Sequence, residues 1–120
     1  MSAIDSYADL TRNISRHLTP LRTHNAEVMQ GFGALSKAAM APGALDEKTK
    51  ELIAMAIGVA SRCDGCLGFH AKALVRLGAT PGEFREMLGV AVYMGGGPSL
   101  MYAAHALQAY EEFRGESATK

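Results

Sequence analysis

Apolar residues recur along most of the chain at intervals of three and four, the period of α-helices. Ile4, Tyr7, Leu10, Ile14 and Leu18 mark one face of a first helix, and Pro20 then punctuates the chain. A second helix is predicted from Leu21 or Asn25 to Ala39, carrying Val28, Met29, Phe32, Leu35 and Ala39, although Gly31 and Gly33 weaken it. Ala41-Pro42-Gly43-Ala44 is a break. Asp46 is placed to cap a third helix running to about Ser61, with Glu47 favoured in its first turn by the helix dipole. From Leu52 to Ala60 that helix is apolar all round, which predicts burial on every side. Asp64 is placed to cap a fourth helix that Gly78 ends. Thr80-Pro81-Gly82-Glu83 reads as a capping box with proline at the first helical position. It opens a fifth helix carrying Phe84, Met87, Leu88, Ala91 and Val92. Gly95-Gly96-Gly97-Pro98 separates it from a sixth that ends near Phe113, and the segment from Gly115 to Lys120 is predicted to fray.

No segment alternates as a strand does, so the predicted class is all-α, a bundle of about six helices. The 120 residues fit one domain spanning 1–120. Helices as greasy as 52–60, and as the Gly89-Val90-Ala91-Val92 stretch of the fifth, are hard to bury in so small a bundle. A partner subunit is expected to supply part of their cover. Twelve acidic residues balance twelve basic ones, which gives no electrostatic case for nucleic acid or an anionic membrane surface. The longest apolar run is too short to span a bilayer. The N-terminus lacks the basic and apolar regions of a signal peptide, so a cytoplasmic enzyme is expected.

The chain has two cysteines, separated by two residues. A pair this close closes almost no loop, so it gains little as a structural staple. In a reducing compartment it reads as reactive. His70 follows Cys66 by four residues, the spacing at which helical side chains touch. On a continuous helix Cys63, Cys66 and His70 share an arc of roughly 60°. A thiolate is favoured at a helix N-terminus, an imidazole can take the thiol proton, and a second thiol can resolve a sulfenic acid or mixed disulfide. Zinc is the competing use of these three residues, but structural zinc needs four ligands and His17, His24 and His105 are isolated. Haem attachment needs His directly after the second Cys, where Leu67 stands, and a thioredoxin fold needs a βαβ context. Two inert core cysteines are the plain alternative.

Glu51 sits where the polar start of the third helix meets the apolar run, either as a solvated first-turn carboxylate or as a group that orients a nearby imidazole. Lys50-Glu51-Leu52-Ile53-Ala54-Met55-Ala56, then Cys63-x-x-Cys66-x-x-x-His70, then Gly78-Ala79-Thr80-x-x-Glu83 resembles the carboxymuconolactone decarboxylase superfamily, most closely its alkylhydroperoxidase AhpD-like branch. The Gly95-Gly96-Gly97-Pro98 junction adds to the likeness, which covers roughly residues 22–110. The resemblance implies an AhpD-like bundle forming homotrimers or homohexamers. It implies hydroperoxide or disulfide reduction through a redox-active Cys63–Cys66 pair, with no bound cofactor or metal, recharged by an external dithiol such as a lipoyl protein. Cys66 would attack the peroxide, Cys63 would resolve, and His70 with Glu51 would relay protons. One departure stands out: AhpD carries a His just before the second Cys, where this chain has Gly65, implying a shorter relay and weaker peroxidase activity. The alternatives are a carboxymuconolactone-type decarboxylase, whose chemistry gives a dithiol no role, and a thiol redox sensor without catalysis.

Among the remaining residues, His105 is expected in the core or an interface, and His17 and His24 at the surface near helix ends. Tyr93 and Tyr102 are expected to pack in the core, and the methionines to fill it. Gly31-Phe32-Gly33 lacks the third glycine and preceding strand of a dinucleotide fingerprint.

Overall fold

In the computed structural model, residues 5–119 are described, with side chains described through Gly115; Ile4 of the predicted pattern lies outside that range. Among the described residues seven helices follow one another: α1 (Tyr7–His17), α2 (Thr19–His24), α3 (Ala26–Met40), α4 (Glu47–Ala60), α5 (Asp64–Arg76), α6 (Pro81–Gly95) and α7 (Gly97–Thr119). The all-α class is as predicted. The seventh helix arises because the predicted second one is split in two at Asn25, whose φ of −125° and ψ of 47° are not helical. Pro20 sits in the first turn of the short α2, where its missing N–H costs nothing. The last helix does not fray at Gly115 but continues to Thr119, since one glycine in a helix costs only about 1 kcal/mol.

Helices α4 to α7 make the body, with α1 packed across α5 and α7. Met55 and Val59 of α4, Leu67, Ala71 and Leu74 of α5, Phe84 and Leu88 of α6, and Tyr110 and Phe113 of α7 form the core with Tyr7 of α1. Phe84 and Tyr110 stack with ring centroids 4.2 Å apart, and the Tyr110 hydroxyl donates to the Ala79 carbonyl at 2.6 Å. Glu112 ties α1 to α7 by accepting from Ala8 N–H at 3.0 Å and from the Ser6 hydroxyl at 3.1 Å.

The caps at Asp46 and Thr80 form as predicted. The Asp46 carboxylate accepts from Thr49 N–H at 2.7 Å. Thr80 Oγ1 accepts from Glu83 N–H while the Glu83 carboxylate accepts from Thr80 N–H. These bonds hold both carboxyls below the usual range, that of Glu83 with help from Lys48.

Helix α3 departs from expectation. It buries no residue and packs only against α2 and α4, leaving Val28, Phe32 and Leu35 about two-thirds exposed. The all-round burial expected for α4 is likewise not met within one chain: its Glu51–Met55–Gly58–Val59 face is buried, but Ile53 and Ile57 are 46% and 60% exposed. Tyr93, Met94 and Met101 are exposed rather than in the core, and of the methionines only Met55 is fully buried among the described residues. Among these residues, no helix is long and apolar enough to cross a membrane.

Candidate active site

The site grows from the turn joining α4 to α5. Helix α4 ends in a Schellman motif: Cys63 N–H donates to the Gly58 carbonyl and Arg62 N–H to that of Val59, both at 3.1 Å. The motif needs a left-handed residue, usually glycine, and here it is Arg62 with φ of +55°. That costs on the order of 1 kcal/mol, and it turns the chain so that Cys63 begins the next helix. Cys63 is extended, with φ of −116° and ψ of 92°, and is itself the N-cap of α5. Its Sγ accepts from Cys66 N–H at 3.2 Å.

Two expectations are corrected here. Asp64 does not cap α5; it is the first residue of the helix, and its carboxylate turns instead to a phenol and an imidazole. The shared-arc argument holds for Cys66 and His70 but not for Cys63, which lies outside the helix and comes near Cys66 through the cap. The two sulfurs are joined as a disulfide with Cα atoms 5.2 Å apart.

Helix α5 runs back along α4 from this turn. A Cβ on Gly58 would lie 3.2 Å from the Cβ of Cys66, so the absence of a side chain there permits the close approach. Two turns before Gly58, on the same buried face, stands Glu51; one turn after Cys66 stands His70. Glu51 Oε1 and His70 Nδ1 are 2.5 Å apart. Glu51 is only 7% exposed, so the solvated reading of this carboxylate does not hold. As the carboxylate accepts from Nδ1–H, the imidazole is left with Nε2 as its exchangeable position. The structure therefore brings Cys63 to Cys66 and Glu51 to His70, and one helical turn of α5 links the pairs. Among the described residues no group of three or more His, Cys, Asp or Glu is arranged to hold a metal ion.

Gly65 marks the departure noted above. A Cβ there would sit 2.9 Å from Ile14 Cδ1, the far end of a flexible side chain on α1, so a larger residue before Cys66 requires that side chain to shift. Gly65→His is expected to cost about 1 kcal/mol or less, because the tip of Ile14 can give way. Adding Ile14→Ala should recover part of that loss, and chemical denaturation of the wild type and the two variants measures it.

Tyr7, Asp64 and His105 form a cluster near the site that local sequence spacing assigns elsewhere. The Tyr7 hydroxyl donates to Asp64 Oδ1 at 2.6 Å, and His105 Nδ1 lies 2.9 Å from the same oxygen. Burial, and then the Asp64 carboxylate, push the Tyr7 phenol far above its ordinary range. His105 is half-exposed, not in the core, and the Tyr102 ring lies 4.9 Å from its own.

The sequence pattern of the carboxymuconolactone decarboxylase family matches residues 26–109 of the chain. An uncharacterised protein of Cupriavidus necator is 38% identical over 98 residues, covering 82% of this chain and 87% of its own. A second, encoded in the cox locus of Paracoccus denitrificans, is 39% identical over 90 residues, or 75% of this chain and 81% of that protein. The crystal structure of a carboxymuconolactone decarboxylase family protein from Legionella pneumophila is similar with a TM-score of 0.88 and 56% identity, over 90% of this chain and 96% of that one. A Thermotoga maritima member of the same family, for which a part in the antioxidative response has been suggested, superposes with a TM-score of 0.81 at 29% identity, over 91% and 93% of the two chains.

Proposed function

The chain belongs to the carboxymuconolactone decarboxylase family, and from that premise we propose that it works as an AhpD-like thiol oxidoreductase, reducing hydroperoxides through the Cys63–Cys66 pair. The observation that carries this reading is the pairing of two sulfurs at the capped start of α5 with a buried carboxylate–imidazole pair one turn along. A suggested antioxidative role for the Thermotoga maritima relative supports it. Loss of CO₂ from a lactone acid needs acid–base groups and gives the dithiol nothing to do.

The cycle balances as follows. His70 takes the proton of the Cys66 thiol, the thiolate attacks the outer oxygen of ROOH, the O–O bond breaks, and Cys66 becomes a sulfenic acid while the RO⁻ fragment receives that same proton from His70. Cys63 then attacks the Cys66 sulfur, forming the disulfide and expelling hydroxide, which leaves as water with the Cys63 proton. Two electrons have passed from the dithiol to the peroxide. An external dithiol, a lipoyl group being the expected kind, restores the pair by exchange and leaves as its own disulfide. Glu51 keeps His70 oriented throughout.

The exposed apolar faces of α3 and α4, with Val28, Phe32, Leu35, Ile53 and Ile57, fit contacts between copies in a homotrimer or homohexamer.

The test is catalytic turnover. With an organic hydroperoxide in excess and dihydrolipoamide as reductant, the protein is expected to consume many equivalents of peroxide per chain. Consumption that stops at one equivalent would identify a sensor instead of an enzyme.

A further inference from the structure

Asp64 opens α5 beside the dithiol and is held by partners from two other helices. It directly follows Cys63, the N-cap, and precedes Cys66 by two residues, so its carboxylate starts the first turn of α5 between the two thiols in sequence. A bare carboxylate there would oppose ionisation of either thiol, because like charges disfavour one another. The fold supplies two donors to one of its oxygens. From α1 comes the Tyr7 hydroxyl at 2.6 Å, on a side chain that is fully buried. From α7 comes His105 Nδ1 at 2.9 Å. These partners lie 57 and 41 residues away in the sequence, so the tertiary fold assembles the group. Tyr102 on α7 lies beside His105, and Glu112, also on α7, acts on Tyr7.

We propose that Tyr7 and His105 are positioning residues for the dithiol: by donating to Asp64 they hold its carboxylate in place and draw off its charge, so that the first turn of α5 can stabilise a thiolate. The inference rests on the reactive-dithiol reading and adds a second polar group to it, distinct from Glu51 and His70. Neither residue need touch a sulfur, since both act through Asp64. The raised phenol of Tyr7 fits the role, because it remains a donor at any pH at which the thiols work.

The experiment is the rate at which the fully reduced protein is alkylated by iodoacetamide near pH 7, which reports thiolate without any peroxide. His105→Leu removes one donor and is expected to slow alkylation about three- to tenfold. His105→Asn keeps an N–H near the place of Nδ1 and should recover most of the rate. Tyr7→Phe should slow the reaction in the same direction. Asp64→Asn removes the charge, should speed the reaction, and should abolish the effect of a simultaneous His105→Leu. A role confined to packing would lower the melting temperature and leave these rates alone. Wild-type rates in His105→Leu and Tyr7→Phe would overturn the proposal, as would an undiminished His105→Leu effect in the Asp64→Asn background. A protein whose thiols respond as expected but never react with peroxide would instead overturn the peroxidase reading, so the two failures are separable.

Discussion

Cys66→Ser is expected to reduce peroxide turnover by about three orders of magnitude or more, with the fold intact. A serine hydroxyl is not ionised near neutral pH and is a far weaker nucleophile than a thiolate. Nor can it accept a second sulfur, so no intramolecular disulfide can form. The fold survives because the bridge closes a loop of only four residues, and losing so short a cross-link costs about 2 kcal/mol by the chain-entropy argument. The companion variant Cys63→Ser separates the two roles. It leaves the attacking thiol but removes the resolving one, so a sulfenic acid should accumulate on Cys66 and be trapped by dimedone. Mass spectrometry of the trapped protein reads the site directly. A sulfenic acid found on Cys63 in Cys66→Ser, at wild-type speed, would reverse the assignment. The N-cap position of Cys63, with its Sγ accepting from Cys66 N–H, gives it the environment of a stabilised thiolate. That suits it to resolve quickly and to leave readily when the external dithiol attacks Cys66.

The second large effect belongs to Glu51. Glu51→Gln keeps the shape of the side chain and removes its charge, and turnover is expected to fall by about 10²- to 10⁴-fold, the range for losing an effective proton-transfer group. The carboxylate can only accept from His70 Nδ1–H, which fixes the tautomer; a glutamine can present its N–H₂ and favour the other one. Because Glu51 is buried against a single imidazole partner, it and His70 should act as a unit. The double variant with His70→Ala should therefore be little slower than either single one. Peroxide consumption by the two single variants and the double one checks the mechanism. Additive losses in the double variant would mean that the two residues serve separate purposes.

Much of this site could be read locally. Asp46 and Thr80 sit before amphipathic runs with partners three residues on, and such caps depend only on neighbouring chain. Cys66 and His70 are one turn apart, so helix geometry alone relates them. Glu51 is legible through the family spacing, whereas its burial depends on the tertiary packing of α4.

What escaped the sequence is long-range or set by competition. Asp64 was a reasonable cap because aspartate favours that position, but the cap went to Cys63 once Tyr7 and His105 offered the carboxylate stronger partners. Nothing in local spacing ties residues 57 and 41 positions away to Asp64. Arg62 gave no sign of its left-handed backbone, since that position usually signals itself by glycine. The apolar spacing of α3 reads the same whether a helix faces its own core or lies open, and here Phe32 and Leu35 are open.

The central claim is that Cys63 and Cys66 cycle together between dithiol and disulfide at the expense of a hydroperoxide. Its most direct test is a count of free thiols in reduced wild-type protein before and after one equivalent of an organic hydroperoxide at micromolar concentration. The account predicts the loss of both thiols in every chain, with none lost to links between chains. Two thiols still free after the peroxide has had time to react would contradict it.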